Sequence, residues 1–115
     1  MTYGPYPARV VDVHDGDTVG LDVDLGFGHV LTALDIRGRR WLSCRVFGIN
    51  APELSTDAGI KARDYAQTLL PVGLIVTVVS HGWDKYGGRF DGDITLPDGR
   101  DFAAVMIAVG MAVPL

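Results

Sequence analysis

The sequence predicts one α+β domain built around a small, strongly bent β-sheet. Three patterns carry that expectation: β-branched residues alternate with polar ones through most of the first fifty positions, a single helical period occupies 57–70, and two more strand-like runs precede a short capped helix at the end. With 115 residues, of which 48% are hydrophobic and 21% charged, the chain has material for one core and one site.

Residues 1–7, with two prolines and a glycine, read as an N-terminal arm before a domain spanning 8–115. Ala8 to Val13 and Thr18 to Leu25 read as strands joined by a tight His14-Asp15-Gly16 turn, with Val19, Leu21 and Val23 on one face. Segments 29–36 and 40–49 read as further extended chain. In the second, Leu42, Cys44 and Val46 alternate with Ser43, Arg45 and Phe47, which puts Cys44 in the core and Arg45 on the opposite face. Two breaks, Gly26-Phe27-Gly28 and Arg37-Gly38-Arg39, separate these runs. Two hairpins would set 40–49 parallel to 18–25, whereas one kink and one hairpin leave them antiparallel; a kink at Gly26 to Gly28 is favoured.

From Asp57 to Leu70 the spacing of Ala58, Ala62, Tyr65 and Leu69 predicts an amphipathic helix, with Ser55 to Asp57 available as N-cap and Pro71 to Gly73 as the stop. Leu74 to Ser80 reads as a buried strand. Arg89 to Leu96 reads as another, with Phe90, Ile94 and Leu96 inward, ending at Pro97-Asp98-Gly99. Asp101 caps a last helix to Val109, closed by Gly110.

Charge and composition exclude several function classes. A net charge of −4 argues against coating nucleic acid through bulk charge, so a polyanion must meet a local patch, and Arg37, Arg39, Arg40 and Arg45 fall within nine positions. Arginine suits forked phosphate contacts, although surface arginines on an exposed strand give the same count. The single cysteine, Cys44, forms no intrachain disulfide, and His14, His29 and His81 have no metal-ligand spacing. No signal-like leader or membrane-length apolar run is present, so the expectation is a soluble, cytoplasmic protein with no membrane partner. Of fourteen acidic residues thirteen are aspartates, which makes Glu53 the only glutamate.

Three segments concentrate chemistry: Asp15-Gly16-Asp17-Thr18, Arg45 through Asn50-Ala51-Pro52-Glu53, and Asp84-Lys85-Tyr86-Gly87-Gly88-Arg89. Together they offer oxygen ligands for a hard cation, a carboxylate to activate water and guanidinium groups to meet charge on phosphorus. Each also reads as plain structure. Asp-Gly-Asp makes a turn, Pro52-Glu53 suits a helix entrance, and paired glycines suit a hairpin. Asp-Gly-Asp is not a helix-loop-helix calcium loop, since aligning its glycine puts Val11 and Val13 where carboxylates are required.

Taken jointly and in order, these segments resemble the staphylococcal nuclease (thermonuclease) family, in its compact bacterial and phage form, from about Arg9 to Val113. The matching pieces are Val-Val-Asp-x-x-Asp-Gly-Asp-Thr-Val at 10–19, Arg45-Val-Phe-Gly-Ile-Asn-Ala-Pro-Glu53, Gly59-x-x-Ala62-x-x-Tyr65-Ala66, Asp84-Lys-Tyr-Gly87 followed by Arg89, and Gly110-Met-Ala112. The resemblance implies a five-stranded OB-fold barrel with packed helices. It also implies a monomeric Ca²⁺-dependent phosphodiesterase acting on single-stranded or frayed DNA or RNA with little sequence preference. Carried over, Asp17, Asn50 and the Ala51 backbone carbonyl become Ca²⁺ ligands and Glu53 the general base. Arg45 and Arg89 bind the scissile phosphate, while Lys85 and Tyr86 contact a neighbouring one.

The chain departs from the family pattern in four places. Asn50 stands where the family usually has a second aspartate, which implies weaker Ca²⁺ binding. The loop before Arg89 holds an extra glycine, the stretch between Thr18 and Arg45 is longer, and the sequence ends at Leu115, before the tyrosine that stacks on a base in the staphylococcal enzyme. The rival expectation is a non-catalytic OB module that binds nucleic acid or protein. Retention of Asp17, Arg45, Glu53 and Arg89 together argues for the enzyme.

Overall fold

A computed structural model describes residues 1–32, 42–84 and 89–115. In chain order the elements are β1 (Tyr3–Asp15), β2 (Thr18–Gly26), β3 (His29–Leu31), β4 (Leu42–Val46), β5 (Ile49–Asn50), α1 (Asp57–Leu69), β6 (Ile75–Trp83), β7 (Arg89–Thr95), α2 (Phe102–Ala108) and β8 (Val113–Pro114). The main sheet has the order β1-β6-β7-β4-β2-β3, and β1 also pairs with β2, so five strands close into a mixed barrel and β3 lies outside it. Closure of a small twisted sheet over an alternating interior is the OB-like architecture expected for the chain.

The alternation drives that closure. Val10, Val19, Leu21, Cys44, Val46, Val78 and Ile94 fill the barrel, with Phe102, Met106, Ala62, Ala66 and Leu70 of the helices packed onto the same core. Cys44 is fully buried, as its parity requires, and burial pushes its thiol pKa up. Gly92 sits beside it: a Cβ there would meet the Phe90 ring and Cys44 Sγ, so the β4–β7 seam is tight.

β4 pairs antiparallel with β2 and parallel with β7. The antiparallel relation was expected, but its route differs. Gly26 to Gly28 is not a kink; it is the tip of a β2–β3 hairpin, with Asp24 opposite Val30 and Gly26 opposite His29. β3 and β4 then lie in succession along the same edge of β2. Gly26, Phe27 and Gly28 have φ of 78°, 55° and 76°, and Phe27 is the one non-glycine residue at positive φ among the described residues. An L-residue in that region costs about 1–2 kcal/mol. The second expected break, Arg37-Gly38-Arg39, and the arginines around it fall outside the described residues, as do Lys85 and Tyr86.

The remaining differences are local. β1 begins at Tyr3 and pairs with β6 from there, so most of the expected arm is strand. Its turn into β2 falls one residue later than expected, on Gly16 and Asp17. The buried stripe of α1 runs Gly59, Ala62, Ala66 and Leu70, leaving Ala58 exposed and Tyr65 and Leu69 at its margin. The stripe turns this way because the helix N-terminus packs through a glycine rather than an alanine. Thr56 is its N-cap, accepting from the Gly59 amide at 3.0 Å. Asp101 caps α2 through Ala104, and Gly110 follows at φ 78°, as the sequence predicts.

Candidate functional site

The β1–β2 turn, the segment that leaves β5 and the first turns of α1 meet at one end of the barrel. Gly16 makes this approach possible, because a Cβ at that position would stand 2.8 Å from Ala51 Cβ and 3.1 Å from Ala62 Cβ. The turn therefore lies flat against both the loop and the helix. The neighbouring Asp17 is 8% exposed, a rare degree of burial for a carboxylate.

Its partners explain how it is tolerated. Asp17 Oδ2 accepts from the Ala51 backbone N–H at 2.9 Å and lies 3.4 Å from Arg45 Nη1. Thr18 Oγ1 donates to Oδ1 at 3.3 Å. The Asp17 carbonyl accepts from the Val46 N–H at 2.8 Å, which extends the β2–β4 ladder beyond the Thr18–Arg45 pair and fixes the turn against β4. Arg45 Nη1 also donates to the Ile49 carbonyl at 3.2 Å. One guanidinium thus ties the turn before β2 to the start of β5, while its Nε and Nη2 make no hydrogen bond among the described residues.

Asp15, part of the Asp-Gly-Asp segment but given no role of its own by the resemblance, belongs to this group. Its Oδ1 accepts from the Asp17 amide at 3.1 Å, which sets its carboxyl beside that of Asp17. Burial, then the neighbouring Asp15, raises the pKa of Asp17 against the opposing pull of the Ala51 amide and Arg45. Burial also pushes Asp15 upward, but the side-chain and backbone hydrogen bonds from Asp17 outweigh it and its pKa is lowered. Two carboxyls are thus held side by side in a half-buried site, one of them reluctant to ionise. The signal for Asp15 lay in the Asp-Gly-Asp repeat, since a turn of that length returns the first carboxylate to the amide of the second.

Asn50 is exposed, and Ala51 and Pro52 are half-buried. β5 pairs with β8, Ile49 opposite Pro114 and Asn50 opposite Val113, and this fixes the loop. Asn50 to Pro52 and Gly110 to Val113 line a cleft of about 210 Å³. Asp15, Asp17, the Asn50 amide and the Ala51 carbonyl all offer oxygen acceptors, the donor type a hard cation takes. No group of three or more Asp, Glu, His or Cys side chains placed to hold a metal ion occurs among the described residues.

Glu53 is exposed, and its carboxylate takes no hydrogen bond or ion pair among the described residues. Its backbone, however, is fixed. The Glu53 carbonyl accepts from the Thr56 N–H at 3.0 Å and from Thr56 Oγ1 at 2.7 Å. It also lies so close to α1 that a Cβ on Gly59 would stand 1.8 Å from it.

Arg89 opens β7 opposite Ser43, and Asp91 lies opposite Arg45, so both arginines project from the same outer face of adjacent strands. The Arg89 Nε donates to the Asp84 carboxylate, an ion pair that orients its fork. The structure thus brings Asp17, Arg45 and Ala51 into contact, places Asn50 and Glu53 on the loop that follows, and sets Arg89 on the neighbouring strand. No protein-family model and no curated protein matches this chain.

Proposed function

We propose that the chain is a Ca²⁺-dependent nuclease that hydrolyses phosphodiester bonds of DNA or RNA, single-stranded or frayed, with little sequence preference. One observation carries the reading: a buried carboxylate, Asp17, is pinned by the Ala51 amide and the Arg45 guanidinium while pressed against a second carboxylate, Asp15. Asp17, with Asp15 beside it, the Asn50 amide oxygen and the Ala51 carbonyl would hold Ca²⁺, which when bound supplies positive charge to polarise a phosphate oxygen.

The chain's own groups divide the remaining work. The Nε and Nη2 of Arg45, which make no hydrogen bond among the described residues, and the fork of Arg89 would meet the phosphate oxygens as negative charge builds, a contribution of about 10²–10³ in rate per group. Glu53 faces solvent, where it would take the proton of an attacking water. Lys85 and Tyr86 would contact a neighbouring phosphate.

The experiment is digestion of a single-stranded oligonucleotide with Ca²⁺ and with chelator, by the native chain and by Glu53→Gln. Cleavage that requires Ca²⁺ and falls about 10²–10⁴-fold in the variant is expected. Equal, metal-independent degradation by both proteins would refute the mechanism. Binding without cleavage by the native chain would assign it to the non-catalytic OB modules.

A further inference from the structure

We propose that two copies of this chain associate through their β2–β3 hairpins, Phe27 of each entering the apolar groove at the barrel mouth of the other. This departs from the monomer expected from the sequence, and it does not rest on the nuclease reading.

The first observation is Phe27 itself. The hairpin register makes Phe27 and Gly28 the two turn residues, both at positive φ, positions that favour asparagine, aspartate or glycine. Phenylalanine there is strained, and its ring is 100% exposed, so no contact among the described residues offsets either the strain or the apolar exposure.

The second is a hole of matching chemistry. A groove of about 480 Å³ opens at the other end of β2 from Asp17, lined by Tyr3, Tyr6, Leu25, Leu31, Trp83 and Phe90 among others. Its volume admits a phenyl ring, and its walls are mainly apolar. Leu25 and Leu31 belong to the same hairpin that carries Phe27. Knob and hole are therefore adjacent but face different ways, which is the arrangement a two-fold axis converts into two reciprocal insertions.

Area supports a second copy as the occupant. Aromatic side chains present about 150–250 Å² each, so Phe27 with the exposed fractions of Trp83 (61%) and Tyr3 (51%) offers roughly 400 Å² per copy. Exposed Val30, Leu31 and Leu25 on the same hairpin add to it. The total reaches the lower end of specific interfaces, about 1,200 Å² over both partners, which suits a reversible dimer.

Sedimentation velocity of the native chain over a range of concentrations should show a monomer–dimer equilibrium. Phe27→Asp should shift it to monomer without loss of thermal stability, because the native ring touches nothing among the described residues of its own chain. Mixing Phe27→Cys with Trp83→Cys under mild oxidation should give a disulfide between the two variants, since buried Cys44 is the only other thiol. A native chain that remains monomeric throughout, or Phe27→Asp that dimerises as the native chain does, would overturn the proposal. So would a monomer whose affinity for an oligonucleotide falls on Trp83→Ala, a result that gives the groove to a nucleobase.

Discussion

Gly59→Ala tests whether the position of Glu53 matters to the chemistry. The added methyl would stand 1.8 Å from the Glu53 carbonyl oxygen and close to the Leu54 Cα. Real Cβ contacts of that kind do not fall below 3.0 Å, so the loop must withdraw by at least 1.2 Å, the difference between the two distances. The displacement has little slack to absorb it. Pro52 fixes φ on one side, and on the other the Thr56 amide and hydroxyl both bond the same carbonyl, so the turn moves as a unit and carries the Glu53 side chain with it. A misplacement of about 1 Å in a catalytic group costs about 10²-fold. We expect kcat on an oligonucleotide to fall about 100-fold while KM changes little, because Arg45 is held by the Ile49 carbonyl and Asp17 by its backbone bond to Val46, both outside the displaced turn. Alanine is a better helix former than glycine by about 1 kcal/mol, which keeps α1 intact despite the clash. Thr56→Ala serves as the comparison: it loses a cap worth about 1 kcal/mol but leaves the Glu53 carbonyl room, so stability falls more than kcat. A folded Gly59→Ala with native kcat would refute the positioning argument.

Three further outcomes follow from the same geometry. The raised pKa of Asp17 means that the folded chain holds that proton more tightly than the unfolded one; stability from this group is undiminished below the ordinary carboxylate range, falls as pH rises from there through the raised value, and stays reduced at neutral pH. Asp17→Asn should therefore raise the melting temperature of the Ca²⁺-free protein near neutral pH, have little effect in acid, and abolish any stabilisation by added Ca²⁺; calorimetry at two pH values decides, and a lower neutral melting temperature contradicts it. Asn50→Asp should tighten Ca²⁺ binding in a calorimetric titration, and an unchanged affinity removes position 50 from the ligand set. Arg45→Lys keeps the charge but cannot hold the Ile49 carbonyl and Asp17 while presenting two further donors, so kcat should drop at least tenfold, and native kcat would leave Arg45 a structural role only.

Much of this arrangement was legible because side-chain parity is a local property. Cys44 inward and Arg45 outward needed only the alternation around them, and the Asp101 cap and the Gly110 terminus needed only their immediate neighbours. The turn at Gly26 to Gly28 was misread for the opposite reason. Phenylalanine is a poor residue for a primed turn, so the local preference pointed away from a hairpin that strand pairing imposes. The helix stripe slipped for a similar cause: Gly59 carries no hydrophobic signal, and its burial depends on the Glu53 carbonyl, six residues away in sequence and in contact only once the loop folds back. Asp15 was visible as a residue but not as a participant, since its effect on Asp17 depends on burial that three separate segments create together.

The parallel seam between β4 and β7 bears on how the protein reaches this state. Antiparallel neighbours such as β1–β2 and β6–β7 can zip from short turns, but β4 and β7 meet only after β5, α1 and β6 have been laid down between them. The large loop this closes gives the seam an entropic disadvantage early in folding, which places its formation late. Arg45 and Arg89 lie on its two sides. Their alignment is thus a readout of completed barrel closure, and recovery of cleavage during refolding should trail the recovery of strand signal in circular dichroism.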